Sequence, residues 1–346
     1  MSSSPSFSAT TIGIIVGRDL IGDALIKLPF LRALRAAWPE SQINWITTQG
    51  PTAYNGALRE VTKHLINTIY EQPEWLRENN SSQTLISNHQ PPHFDLLIDT
   101  RNRWREASIA AQIPHKLFIA PAFRFLFSER RPSLLQLLAR PPHLVDRLLQ
   151  MVELAAGYIP VATGSLPIPP DMLAKARQIL PPGPTYIGFA PGAGNRIKAW
   201  PRYKFEKVAV EQAAQNRVPV FLLGPQELNW YDALIATVPN AKFPLQSSEV
   251  WGGGLVSVEQ TLAIGSLLTL AVANDSGTGH MLAAVDCPLI SLFGPTSAAK
   301  LAPRVSHGWV IKSQDLGSDA INAIWHENVT KCINDAILLL NNHETN

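Results

Sequence analysis

The stretch TIGIIVGRDLIGDALIKLPFLRALRAAWPESQINWIT, Thr11 to Thr47, decides the fold class. IGIIV is an apolar, β-branched run of strand length, GRDLIGDAL is a glycine-bearing loop, IKLPFLRALRAAW repeats apolar residues at helical spacing, and INWIT returns to strand. That order is a βαβ unit, and it opens an α/β domain. FDLLID, Phe94 to Asp99, is a fuller apolar run of the kind a buried parallel strand needs. From Gly157 to Pro184 the segments GYIPVATGSLPIPP and LPPGP bracket a short helix candidate, DMLAKARQI, a composition typical of a domain crossing. The pattern then restarts with YIGFAPG, PVFLLG, LTLAVAND and PLISLFGPT as successive strands, and closes with a helix in INDAILLLNN. The expectation is two α/β domains in tandem, residues 1–160 and 161–346, with the terminal helix free to pack back on the first.

Composition bounds the function. At 346 residues the chain has room for two full cores, and 46% apolar with only 16% charged residues excludes a long disordered protein. Lys and Arg number 29 against 27 Asp and Glu, so there is no whole-chain basic field and nucleic acid is not an expected partner. Cys287 and Cys332 form neither a CxxC pair nor a metal-ligand spacing, which fits a reducing compartment and predicts no metal site. MSSSPSFSAT lacks the basic n-region of a secretory signal, and no apolar run is long enough to span a bilayer. A cytoplasmic chain is expected. Residues 121–150 stand apart: Arg124, Arg130, Arg131, Arg140 and Arg147 outnumber Glu129 and Asp146 amid PAFRFLF and LLQLL. Such a mixture suits an anionic amphiphile or the cytoplasmic face of an inner membrane, although a helical layer with arginines at its rim would look the same.

Four constellations fall at predicted strand C-terminal ends, where open α/β sheets place ligands. The first loop holds Arg18, Asp19, Gly22 and Asp23; Asp23 is either a helix N-cap or a carboxylate offered to a cleft as general base. PGAGNRIKAWP, Pro191 to Pro201, has Gly192 and Gly194 to free backbone amides and Lys198 to add positive charge, without the spacing of a Walker loop. GPQE ends a strand in Glu227, a candidate for ribose hydroxyls that a solvated loop carboxylate would mimic. NDSGTGHMLAA brings Asp275, Ser276, Gly277 and Thr278 to a helix start, with His280 four residues after Ser276, and FGPT places Thr296 at a neighbouring helix start. Amides, hydroxyls and a histidine converging there suit a diphosphate. GxGxxG after the first strand, a GxSxG elbow, HExxH and DxD are all absent from the sequence. A nicotinamide-dependent oxidoreductase is weakened by the missing glycine fingerprint, and a non-catalytic binding protein of the same fold by the presence of Asp23, Lys198 and His280.

These motifs resemble glycosyltransferase family 9, the heptosyltransferases of the lipopolysaccharide inner core. Gly22-Asp23, Pro29, Leu31 to Arg35, Pro39 and Trp45 match the family's N-terminal pattern in order, as do Pro191 to Pro201, Asn274 to Ala284 and Phe293 to Thr296 its later ones. The resemblance implies a GT-B architecture of two facing Rossmann-like domains with a cleft between them, the first binding acceptor and the second an ADP-sugar. It implies Asp23 as base, Lys198 on the diphosphate, and Asp275, Ser276, Gly277 and His280 on the donor, in inverting transfer without metal or cofactor. The sugar is expected to be a heptose and the acceptor an anionic glycolipid or glycan, with Arg18, Arg101 and Arg124 as acceptor-side candidates. Three positions depart from the pattern: Ala199 stands where a basic residue is usual, Thr278-Gly279 replaces Pro-Met, and the segment before Glu227 is one residue short.

Overall fold

A computed structural model describes residues 5–76 and 90–344, so Met1 to Ser4 of the N-terminal run lie outside the described residues. The chain forms two compact units, Met1–Thr163 and Gly164–Asn346. In the first, β1 (Thr11–Val16), β2 (Gln42–Thr47), β3 (Thr68–Glu71), β4 (Phe94–Asp99) and β5 (His115–Ile119) make one sheet in the order β3-β2-β1-β4-β5. Its pairs are all parallel. The second unit pairs β6 (Tyr186–Ala190), β7 (Val218–Phe221), β8 (Leu270–Asn274), β9 (Leu289–Phe293) and β10 (Gly308–Lys312) in the order β10-β9-β8-β6-β7, again all parallel. Both are doubly wound, Rossmann-like sheets, and in each the strand order reverses at one place: between β1 and β4, and between β6 and β8.

The apolar runs become strands because both of their faces are covered. Every residue of β4, β6, β8 and β9 is buried, and in β1 all but Thr11. The helical pattern after β1 divides into a single turn, Ile21–Leu25, and a longer helix, Leu28–Ala37. Pro29 explains the break: it lacks an N–H and is tolerated only in a first turn, so one continuous helix would carry it inside. Leu28, Leu31 and Leu34 bury the inner face of the second segment, which ends at Trp38 just before Pro39.

The core of the second unit is aromatic. Phe189 stacks on Phe221 at 5.2 Å, Trp200 meets Phe205 edge-on at 4.8 Å, and both Trp200 and Phe205 are fully buried. The terminal helix His326–Glu344 buries Val329, Ile333, Ala336 and Ile337 in this same core. Trp200 Nε1 and Lys204 Nζ both donate to Ile324 O at 2.9 Å, latching the segment before that helix to the loop and helix after β6.

Candidate active site

In the second unit the β6/β8 reversal collects the predicted donor residues. Asn274, buried at the end of β8, donates through Nδ2 to Pro191 O at 2.7 Å and accepts from Trp200 N at 3.2 Å, so one side chain clamps both ends of the glycine-rich loop. Within the loop Asn195 accepts from Ile197 N at 3.1 Å and starts the 3-10 turn Arg196–Lys198. Lys198 Nζ then donates to Asp275 Oδ2 at 2.8 Å, and Thr296 Oγ1 donates to the same oxygen at 2.7 Å. The Asp275 side chain is 7% exposed and that of Lys198 27%, so the carboxylate is sunk while the ammonium reaches solvent. Thr296 acts through this bond and caps no helix; the residue before the helix Ala298–Leu301 is Ser297.

Ser276 caps the helix Gly277–Ala284, accepting from Gly279 N at 3.4 Å. The first-turn amides of such a helix have no intrahelical acceptor and face outward. Gly277 and Gly194 have open space where a Cβ would stand, whereas a Cβ on Gly279 would lie 3.2 Å from Asn274 O. A side chain at 279 would therefore need Asn274 O to give by a few tenths of an ångström. Thr278 and His280 are half-buried in the first and second turns. Glu227 folds against the glycine-rich loop: a Cβ on Gly192 would sit 3.3 Å, and one on Gly224 3.0 Å, from its Oε2. Burial pushes its carboxyl above the ordinary range, opposed by the amides of Glu227 and Gly224. The fold thus brings Gly192, Lys198, Glu227, Asp275 and Thr296 to one end of one sheet.

In the first unit the segments after β1 and β4 carry Arg18, Asp23 and Arg101, and Arg124 follows the edge strand β5. Asp23 lies in the first turn of the helix Ile21–Leu25, but Leu20 is its N-cap, so the simple capping role is excluded. The Asp23 side chain is exposed. Asp19, unassigned from sequence, is 2% exposed and accepts from Trp45 Nε1 at 2.7 Å, from Thr52 Oγ1 at 3.4 Å and from Lys27 Nζ. The one hint in sequence is a lysine eight residues downstream of a strand-end aspartate.

The three acceptor-side arginines part company. Arg101 forks onto the buried Asp99, Nε to Oδ1 at 2.8 Å and Nη2 to Oδ2 at 2.9 Å, and Nη1 lies 3.1 Å from Glu106. Burial pushes the Asp99 carboxyl up and Arg101 opposes it. Arg101 lines a cavity of about 490 Å³ with Thr48, Gln49, Gln72, Arg103 and Glu106. Arg124 lines another, of about 590 Å³, with Arg103, Trp104, Arg105, Phe123 and Arg140. Arg18 is exposed and lines neither. Of the run RNRWRE, residues 101–106, all but Arg101 line this second basic pocket. Phe123, Arg124 and Phe125 are left-handed at φ 49°, 57° and 64°, a strain that holds Phe123 71% exposed at the pocket. Among the described residues no group of three or more His, Cys, Asp or Glu is placed to hold a metal.

Comparison with known proteins gives the family and the fold. The profile of glycosyltransferase family 9 (heptosyltransferase) matches residues 87–319. Lipopolysaccharide heptosyltransferase 1 of Pseudomonas aeruginosa is 27% identical over 325 residues, covering 88% of this chain and 83% of that protein. Among solved structures, a family 9 glycosyl transferase from Veillonella parvula gives a TM-score of 0.68 at 18% identity, over 95% of this chain and 97% of the other. The E. coli heptosyltransferase WaaC, solved with ADP, gives 0.66 at 17% identity over 94% of this chain and 99% of the other. The fold in common is GT-B, two Rossmann-like α/β domains in one chain.

Proposed function

The chain belongs to glycosyltransferase family 9, and from that premise we propose that this glycosyltransferase moves a heptose from ADP-heptose to an anionic acceptor of the lipopolysaccharide core. The observation that carries the reading is the Lys198–Asp275–Thr296 cluster at the β6/β8 reversal, beside a helix start. The reaction is one inverting displacement. The acceptor oxygen attacks the anomeric carbon while Asp23 takes its proton, and the bond from that carbon to the diphosphate breaks with its electron pair leaving on ADP. Lys198, the amides of Gly277 and Thr278, and His280 neutralise the departing charge, so no metal is required. Asp275 and Thr296 aim the ammonium at that charge. Glu227, beside Gly192 and Gly224, takes the ribose hydroxyls.

The acceptor enters on the first unit, where Arg124 shares its pocket with Arg103, Arg105 and Arg140. Peripheral contact with the cytoplasmic face of the inner membrane belongs to the same reading. The helix Leu134–Leu138 buries none of its residues, and Leu134, Leu135 and Leu138 are 72%, 79% and 71% exposed between Arg131 and Arg140. Apolar side chains flanked by cations suit an anionic lipid surface.

The test is a thermal-shift panel with ADP, UDP, GDP and NAD on the wild type and Lys198→Ala, because a ligand that binds only the folded state raises the melting temperature. Stabilisation by ADP alone, lost in Lys198→Ala, is the expected result. A shift with UDP or GDP instead overturns the donor, and a shift with NAD alone overturns the transferase reading.

A further inference from the structure

We propose that Asp19 and Lys27 are positioning residues that hold the backbone of Asp23; the proposal rests on the reading of Asp23 as the base. The helix that carries Asp23 has five residues and no side-chain cap. So short a helix returns few hydrogen bonds for the conformational entropy that nucleating it costs, so side chains from outside have to support its geometry. Two side-chain bonds do this. Lys27 Nζ donates to Asp23 O at 2.8 Å, and Tyr54 Oη donates to Ala24 O at 2.6 Å.

Both donors are themselves fixed. Lys27 pairs with Asp19, whose side chain is 0% exposed and also accepts from Trp45 Nε1 at 2.7 Å. Trp45 is fully buried in β2 and meets Tyr54 edge-on at 5.0 Å. The carbonyls of Asp23 and Ala24 are therefore tied to the sheet, while the Asp23 carboxylate itself stays exposed. A buried ion pair adds little net stability over apolar residues of the same shape; what it can supply is a fixed arrangement. Here the arrangement it fixes ends on the peptide group of the candidate base.

The experiment is a double-mutant cycle on the full chain, reading ADP release with ADP-heptose and truncated inner-core lipopolysaccharide. Asp19→Asn/Lys27→Met removes both charges together, so no buried charge is stranded. It is expected to lower kcat about 10–100-fold while ADP affinity and donor KM stay within about twofold of wild type. Asp23→Ala is expected to lower kcat about 10²–10⁴-fold. The triple variant is expected to match Asp23→Ala, because nothing remains to be positioned. A purely structural pair would instead multiply with Asp23→Ala, and that result, or an unchanged kcat in Asp19→Asn/Lys27→Met, overturns the proposal. Retained turnover in Asp23→Ala removes the base, and the proposal with it. If the neutral pair does not fold, Lys27→Arg, which keeps a charge beside Asp19 but displaces the donor from Asp23 O, carries the same cycle, with an expected drop of about fivefold for one lost hydrogen bond and none in the Asp23→Ala background; an unchanged kcat there overturns the proposal.

Discussion

Replacing Lys198 by methionine keeps the apolar stem and removes the charge, and its effect on ADP can be bounded from the structure. At an effective dielectric of about 20, an ammonium 4 Å from one phosphate charge gains about 4 kcal/mol. Two features reduce that gain. The side chain is 27% exposed, so water screens it, and in the free protein the ammonium already sits 2.8 Å from Asp275, whose attraction the ligand must share. The net then approaches that of a hydrogen bond to a charged group, about 1.5–3 kcal/mol, or about 10–150-fold in Kd. Titration calorimetry with ADP at low and high salt reads it, and the wild type should show the steeper loss with salt. Stability gives an independent sign. Without Lys198 the sunken Asp275 carboxylate keeps the Thr296 hydroxyl but loses its counter-charge, so Tm falls; Lys198→Met/Asp275→Asn should recover Tm and leave ADP binding weak. An ADP Kd within about twofold of wild type, or one restored by the second substitution, refutes the reasoning.

Three further outcomes follow from particular residues. Asp95 accepts from Lys116, Thr10 and Thr11, and these bonds, that from Lys116 foremost, hold its carboxyl well below the usual range. Its contribution is therefore present above the unfolded carboxylate pKa and fades as pH falls through the folded one. Asp95→Asn should cost about 1–3 kcal/mol in urea melts near neutral pH and progressively less below about pH 4, and a cost that does not shrink in acid sinks the assignment. Leu134→Ser/Leu135→Ser/Leu138→Ser should lower sedimentation with phosphatidylglycerol vesicles by about tenfold or more without moving Tm, since none of the three is buried; undiminished vesicle binding removes the membrane contact. Gly279→Ala should gain about 1 kcal/mol of helix propensity, but its Cβ would stand 3.2 Å from Asn274 O, so that gain should be cancelled and Tm should not rise; a Tm raised by the full propensity gain would show that the clamp on the loop gives way without cost.

What could be read in advance divides along burial. β1, β4, β6, β8 and β9 are covered on both faces, so each spells a continuous apolar run. TIYE (β3), HKLFI (β5) and GWVIK (β10) sit at or near sheet edges with polar residues interspersed, and no such run marks them. The site divides along pairing. Lys198 and Asp275 were each conspicuous at a strand end, yet 77 residues separate them and only the fold joins them through one oxygen that Thr296 also reaches. Arg101 is an acceptor-side candidate by its place after β4, and nothing in the sequence shows that Asp99, two residues back, takes its Nε and Nη2. Asp19 looked like a loop residue because its burial depends on Trp45 and Thr52, supplied from β2 and beyond.

The same device stands at both strand reversals: an aspartate after the strand, neutralised by a lysine from an adjoining loop or helix. Exposure separates their uses. Lys27 is 11% exposed, its partner is fully enclosed, and its remaining reach is spent on Asp23 O, so a change of partner would strand a carboxylate without water. Lys198 is 27% exposed, and its partner has Thr296 as a second donor to the same oxygen. An ammonium placed that way can lean toward an arriving diphosphate without abandoning Asp275. The first pair is thus suited to holding a backbone and the second to sharing a charge. That difference predicts salt-sensitive ADP binding at Lys198 and a kcat effect with little salt dependence at Lys27.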